Sequence, residues 1–266
     1  MQKLSKTVFF AWQLDTNPDG NKNFIWNSLN ESCKNLQESS VPELSPRPER
    51  DTLGISGTPN IVQTIFKKID SCSFFIADVT FISKTQNEKY IVNPNVMLEL
   101  GYAIKTIGWE RTILVLNNAY GTAENLPFDI IQHRWPIEYR ITSETKVHEK
   151  RFRDLTETLT EALIDCEQYT LARASQMTSK LDTDTFKLIS EFEFKNDIGI
   201  PLPARTMGEV LTSTSKISSY RRLLDLGAIS VNFKPQVCYN WTNDGKNMIR
   251  EINRQFPGLL EILRNK

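Results

Sequence analysis

The residues whose types and spacing suit chemistry concentrate in one short stretch. In Asn93-Pro-Asn-Val-Met-Leu-Glu-Leu-Gly-Tyr-Ala103, the side chains of Asn95, Glu99 and Tyr102 stand at i, i+4 and i+7, one face of an α-helix, with Met97, Leu100 and Ile104 opposite. An amide, a carboxylate and a phenol on the first turns of a helix make a polar pocket wall, and a helix N-terminus favours an anion such as phosphate. The same spacing suits a solvated glutamate on an amphipathic helix equally well, and spacing alone does not choose. Asp78, at the end of Ser73-Phe-Phe-Ile-Ala-Asp78, is a second carboxylate, with a cap or loop hydrogen-bond acceptor as its other role. Arg50 beside Asp51 can grip a phosphate bidentately or form a solvated surface pair. Gly54 and Gly57, ahead of Pro59, can bring backbone amides to a pyrophosphate or simply make a turn; their spacing fits neither a P-loop nor a dinucleotide fingerprint. Trp12 can stack on a base or fill a core.

Composition removes several alternatives. Basic and acidic residues number 32 each, so the formal charge is zero and no whole-chain affinity for nucleic acid or anionic membrane is expected. Cys33, Cys72, Cys166 and Cys238 are scattered, and His133 and His148 are the only histidines. That pattern argues against a zinc site and a Ser-His-Asp mechanism, and it suits free thiols in a reducing compartment. The opening MQKLSKTVFFAWQLD has only a short apolar run, and no stretch approaches the roughly 18 apolar residues of a membrane-spanning helix. The expectation is a cytoplasmic chain without membrane attachment, long enough at 266 residues for one large or two modest domains.

The elements that must position these residues alternate. Thr7 to Trp12 is predicted as a buried strand and Asn23 to Leu36 as a helix. Gln37 to Thr58 follows as a long loop with at most a short strand. Pro59 opens a helix with the stripe Ile61, Ile65 and Ile69, leading to the strand that ends at Asp78. After a polar insertion, Ser83 to Tyr90, Asn93-Pro94 starts a helix through about Ile107, and Arg111 to Leu116 is the next strand. This βαβαβ order implies an open, mostly parallel α/β sheet flanked by helices, with ligands expected beyond the carboxyl ends of the strands. Trp12, Asp78 and Asn117 fall at that edge. Phe128 to Tyr139 supplies a last strand, and Val147 to Met177 a long helix.

Beyond about residue 180 the character changes. Helices are predicted over Phe186 to Phe194, Met207 to Leu211, Ser219 to Leu226 and Asn243 to Phe256, with strands Ile229 to Asn232 and Val237 to Trp241. The expected division is 1–145 for the α/β domain, 146–180 for a helical connector and 181–266 for a small α+β, winged-helix-like domain. From residue 201 onward basic side chains outnumber acidic ones ten to five. The excess is modest, so a protein-docking or dimerising role ranks ahead of DNA binding.

The helix motif Asn95-Val-Met-Leu-Glu99-Leu-Gly101-Tyr-Ala103 resembles the N-x-x-x-E-L-G-x-A hallmark of TIR-like and nucleoside deoxyribosyltransferase-like proteins. The similarity runs from about residue 7 to 140. It includes Val8-Phe-Phe-Ala-Trp-Gln13, Asn23-Phe-Ile, Arg50-Asp-Thr-x-Gly54-x-x-Gly-x-Pro59, Phe75-Ile-Ala-Asp78-Val and Leu126-Pro-Phe-Asp129. Within that superfamily the chain looks like the bacterial stand-alone TIR-like, nucleotide-binding group linked to anti-phage defence. The resemblance implies a TIR/flavodoxin-like fold that consumes NAD(P) as substrate, with no bound cofactor and no metal. It implies Glu99 as the carboxylate that cleaves or exchanges an N-glycosidic bond, with Asp78 contacting substrate. Trp12, Gln13, Arg50, Asp51, Gly57, Asn95 and Tyr102 are the nucleotide-binding positions it suggests. It also implies activity on assembly, as a homo-oligomer through TIR-like or winged-helix surfaces. The alternative is a non-catalytic nucleotide sensor whose winged-helix tail binds a partner protein or DNA.

Overall fold

The computed structural model of the chain describes residues 4–39, 44–49, 61–142, 149–192, 202–203, 213–232 and 238–265. It divides into two compact units, Met1–Glu167 and Gln168–Lys266. The boundary falls inside a long helix, at a point that the sequence places within the connector.

In the first unit the order is β1 (Leu4–Ala11), α1 (Lys22–Glu38), β2 (Leu44–Glu49), α2 (Ile61–Ser71), β3 (Phe74–Asp78), the hairpin β4 (Phe81–Lys84) and β5 (Tyr90–Val92), α3 (Pro94–Ile107) and β6 (Thr112–Asn117). A short α4 (Phe128–Ile131), β7 (Ile137–Tyr139) and the long α5 (Glu149–Thr178) follow. Five strands form one sheet in the order β2-β1-β3-β6-β7, and every pairing in it is parallel. Strands β3 and β6 are buried along their whole length, because helices cover both faces. On one face α1 and α5 pack through Ile25, Leu29, Leu155 and Leu159 against Val8 and Phe10; on the other, α2 and α3 pack through Ile69, Val96 and Leu100 against Phe9 and Ala11. Alternation of side chains along β1 thus feeds two separate cores. The connections leave β1 and β3 in opposite directions, so the order reverses between these two strands, and a crevice forms beyond their carboxyl ends.

The structure sharpens three expectations. The Gln37 to Thr58 stretch contains a full edge strand, β2, in which Pro46 and Pro48 pair in register with Lys6 and Val8. Prolines two apart in a strand direct their missing N–H positions to the same side, and an edge strand has one side that needs no donor. Phe128 to Tyr139 does supply the last strand, over Ile137–Tyr139, and its first part is the four-residue helix α4, with Pro127 at the N-cap position. The polar insertion is an antiparallel hairpin turned through Glu88, which adopts φ 58°. Helix α3, by contrast, has the expected bounds. Asn93 Oδ1 accepts from the backbone N–H groups of Asn95 at 2.8 Å and Val96 at 3.1 Å, and Pro94 occupies the first turn.

The second unit contains α6 (Thr183–Phe192), β8 (Leu202–Pro203), α7 (Thr214–Asp225), β9 (Ile229–Asn232), β10 (Cys238–Trp241), α8 (Asn243–Gln255) and α9 (Leu259–Arg264). Its strands form an antiparallel sheet in the order β8-β10-β9, and the whole is a small α+β unit. Leu188, Leu223, Met248 and Ile252 are among its buried core. The short helix expected at Met207 to Leu211 lies outside the described residues. Among the described residues no helix is long and apolar enough to cross a membrane.

Candidate functional site

A cleft of about 420 Å³ opens at the carboxyl end of β1, walled by α2 and α3. Trp12 and Gln13 border it from the chain leaving β1, Asn95 and Glu99 from α3, and Ile65 and Phe66 from α2. Its rim carries Leu14, Ile61, Val62 and Leu98, each at least half exposed. A mostly apolar hollow with a few convergent polar groups at a strand-order reversal is the usual form of a small-molecule site in such sheets. Glu99 is half-buried on this wall.

The sequence-predicted residues separate into three groups. Trp12, Gln13, Asn95 and Glu99 converge on the cleft. Asp78 and Tyr102 do not border it. Asp78 has no solvent exposure and accepts from the backbone N–H of Thr80 at 3.1 Å, and from Gln13 Nε2 at 3.4 Å. Burial lifts its carboxyl pKa from the ordinary 3.8 to about 6, against the pull of the hydrogen bonds from Thr80 and Gln13. It thus lies outside the lining of the cleft and accepts a hydrogen bond from Gln13, which borders it. Tyr102 lies on the same side of α3 as Glu99, nearly a turn further on. Its ring stacks on Phe66 with centroids 4.2 Å apart and its hydroxyl donates to Asp70 Oδ1 at 2.7 Å, so it fastens α3 to α2. Burial, then that hydrogen bond, pushes its phenol up to about 12. Arg50, Asp51, Gly54, Gly57 and Pro59 lie outside the described residues.

The segment leaving β1 is shaped by Gln13 itself. Its Oε1 accepts from the backbone N–H groups of Asp15 at 2.5 Å and Thr16 at 3.0 Å, while its Nε2 donates to Thr16 Oγ1 at 2.6 Å. Asn93, already the cap of α3, donates through Nδ2 to Asp15 Oδ2 at 2.6 Å. One asparagine thus starts the helix that carries Glu99 and anchors the loop facing it. The strand ends are joined below by Asn117, whose Nδ2 donates to the carbonyl of Ile141 at 2.8 Å and to Asn21 Oδ1 at 3.0 Å. The second role of Asn93, and the α2 wall at Phe66, are absent from the sequence expectations. The apolar character of α2 was the available signal for Phe66, whereas nothing in the sequence pairs Asn93 with Asp15.

Chemically, a carboxylate on a hollow that excludes part of the solvent can accept hydrogen bonds from sugar hydroxyls and stabilise positive charge developing on a ribose ring. Among the described residues no cluster of three or more histidine, cysteine, aspartate or glutamate side chains is arranged to hold a metal.

No family model matches the chain, and no curated protein matches it. Among solved structures, the flavodoxin-like domain of a Synechococcus protein aligns with 59% of this chain and 95% of its own length, at 10% identity and a TM-score of 0.33. The architecture is instead defined by the chain's own strand order, β2-β1-β3-β6-β7.

Proposed function

We propose that the protein cleaves the N-glycosidic bond between nicotinamide and ribose in NAD(P), with Glu99 as the essential carboxylate. The observation that carries this reading is the position of Glu99, half-buried on the wall of an apolar cleft at the reversal of strand order. The motif resemblance supplies the reaction class. The reaction passes through an oxocarbenium-like state, which a carboxylate against the ribose stabilises while the apolar walls take the base. Asn95 supplies an amide group for the sugar or base edges, while the Gln13 amide, held by Asp15, Thr16 and Asp78, shapes the wall. The purified protein, assayed dilute and concentrated so that assembly is sampled, should release nicotinamide from NAD. Glu99→Gln should reduce release by at least about a hundredfold with an unchanged far-UV spectrum. Undiminished release in that variant removes Glu99 from the mechanism.

A second reading, a non-catalytic nucleotide sensor, is favoured by the burial of Asp78. Among the described residues bordering the cleft, Glu99 is then the one carboxylate. Under that reading NAD is not turned over, yet a nucleotide raises the Tm by linkage.

For the second unit a docking role is the better proposal. On α7, Lys216 is paired with Glu191 at 2.6 Å, Arg222 with Asp182, and Ser215 with Asp184 at 2.5 Å. The charges of Lys216 and Arg222 are neutralised within the unit, which weakens the case for a nucleic-acid backbone as their partner.

A further inference from the structure

Beside the cleft, among the described residues, stands a cation that the nucleotide reading leaves unused. Lys22, the first residue of α1, places its Nζ 3.4 Å from the centroid of the Trp12 ring. Trp12 itself borders the cleft. Among the described residues no carboxylate pairs with Lys22, and its ammonium is held by the indole face alone. Topology gives this position its meaning. Helix α1 packs with Val8 and Phe10 on one face of the sheet, and α3 packs with Phe9 and Ala11 on the other. At the β1/β3 reversal Glu99 on α3 therefore borders the cleft, while Lys22 on α1 stands outside its lining, against the ring of Trp12 that borders it, with the end of β1 between the two helices.

We infer that Lys22, braced on Trp12, selects phosphate-bearing nucleotides over nucleosides, receiving the phosphate while the ribose lies toward Glu99. This deepens the proposed function and rests on the cleft being a nucleotide site. The arrangement sets the ligand's polarity: a dianionic group is repelled from the Glu99 side and attracted to the α1 side, and the brace limits the freedom the lysine loses on binding.

Binding of ADP-ribose and of adenosine is measured by calorimetry and thermal shift on the full chain and on Lys22→Met, which keeps an unbranched stem beside Trp12. ADP-ribose should bind the native protein tighter than adenosine by about tenfold or more, and Lys22→Met should lose about tenfold for ADP-ribose while leaving adenosine unchanged. Lys22→Arg should restore ADP-ribose binding, and raising the salt should weaken ADP-ribose binding more steeply in the native protein than in Lys22→Met. Equal ADP-ribose affinity in the native and Lys22→Met proteins overturns the role of Lys22 and leaves the nucleotide site standing. Absence of binding by either compound to the native protein overturns both.

Discussion

At the residue scale the two candidate site acids of the first unit hold different positions. Glu99 borders the cleft, whereas Asp78 is sealed beneath it. Because burial places the folded pKa of Asp78 at about 6 against 3.8 unperturbed, the folded state binds that proton more tightly than the unfolded chain between these values. Its contribution to stability is therefore fully present below about pH 4 and is lost as the pH rises through 6. Asp78→Asn keeps an acceptor for Thr80 and removes the buried charge. The variant should lack this component of the pH slope and be more stable at pH 7, by up to roughly 3 kcal/mol, in urea titrations at pH 4 and pH 7. A slope unchanged by the substitution would assign it to other groups. The type of residue at position 78 was legible in the sequence; its depth was not, since depth depends on how Gln13 and Thr80 close over it.

At the element scale the cleft is set by how α2 and α3 are fastened. Tyr102→Phe retains the stack on Phe66 and deletes the hydrogen bond to Asp70. It should cost about 1 kcal/mol, a Tm decrease of roughly 2–4 °C, and raise KM more than it lowers kcat, because the wall is loosened while Glu99 is retained. A second fastening joins β1 to α5, where buried Lys6 contacts Glu167 at 2.5 and 2.6 Å. Glu167→Ala removes the carboxylate paired with a buried ammonium and should cost about 3 kcal/mol, whereas the double variant Lys6→Met, Glu167→Leu should recover most of that loss. Chemical denaturation of the three proteins checks both statements. Much of this scaffold was visible in advance. The Asn93-Pro94 signal gave the start of α3 to the residue, and the apolar runs gave β1, β3 and β6, because local capping and burial dictate them. Strand β2 and the β4-β5 hairpin were not visible. Their Pro-rich and polar sequences become strands through pairing with β1 and with each other, which is a tertiary effect.

At the scale of the whole molecule, the second unit depends on one close approach. A Cβ on Gly245 would lie 1.9 Å from the carbonyl oxygen of Ala228, and Gly245 N also donates to Thr242 Oγ1 at 3.0 Å, at the cap of α8. Gly245→Ala should destabilise this unit by about 2 kcal/mol or more, seen calorimetrically as a lowered transition. An unshifted thermogram would contradict the packing described there. The α+β character of this unit and the parallel sheet of the first were both legible as alternation and spacing, while the convergence of Gln13, Asn95 and Glu99 on one hollow depended on long-range packing of α2 that no local pattern encodes. The most direct measurement of the central claim is a crystal structure of Glu99→Gln with NAD bound. Ribose hydroxyls are expected within hydrogen-bond reach of the residue-99 amide, with the nicotinamide among the apolar walls of the cleft; NAD bound elsewhere, with residue 99 facing solvent, would overturn the role proposed for Glu99.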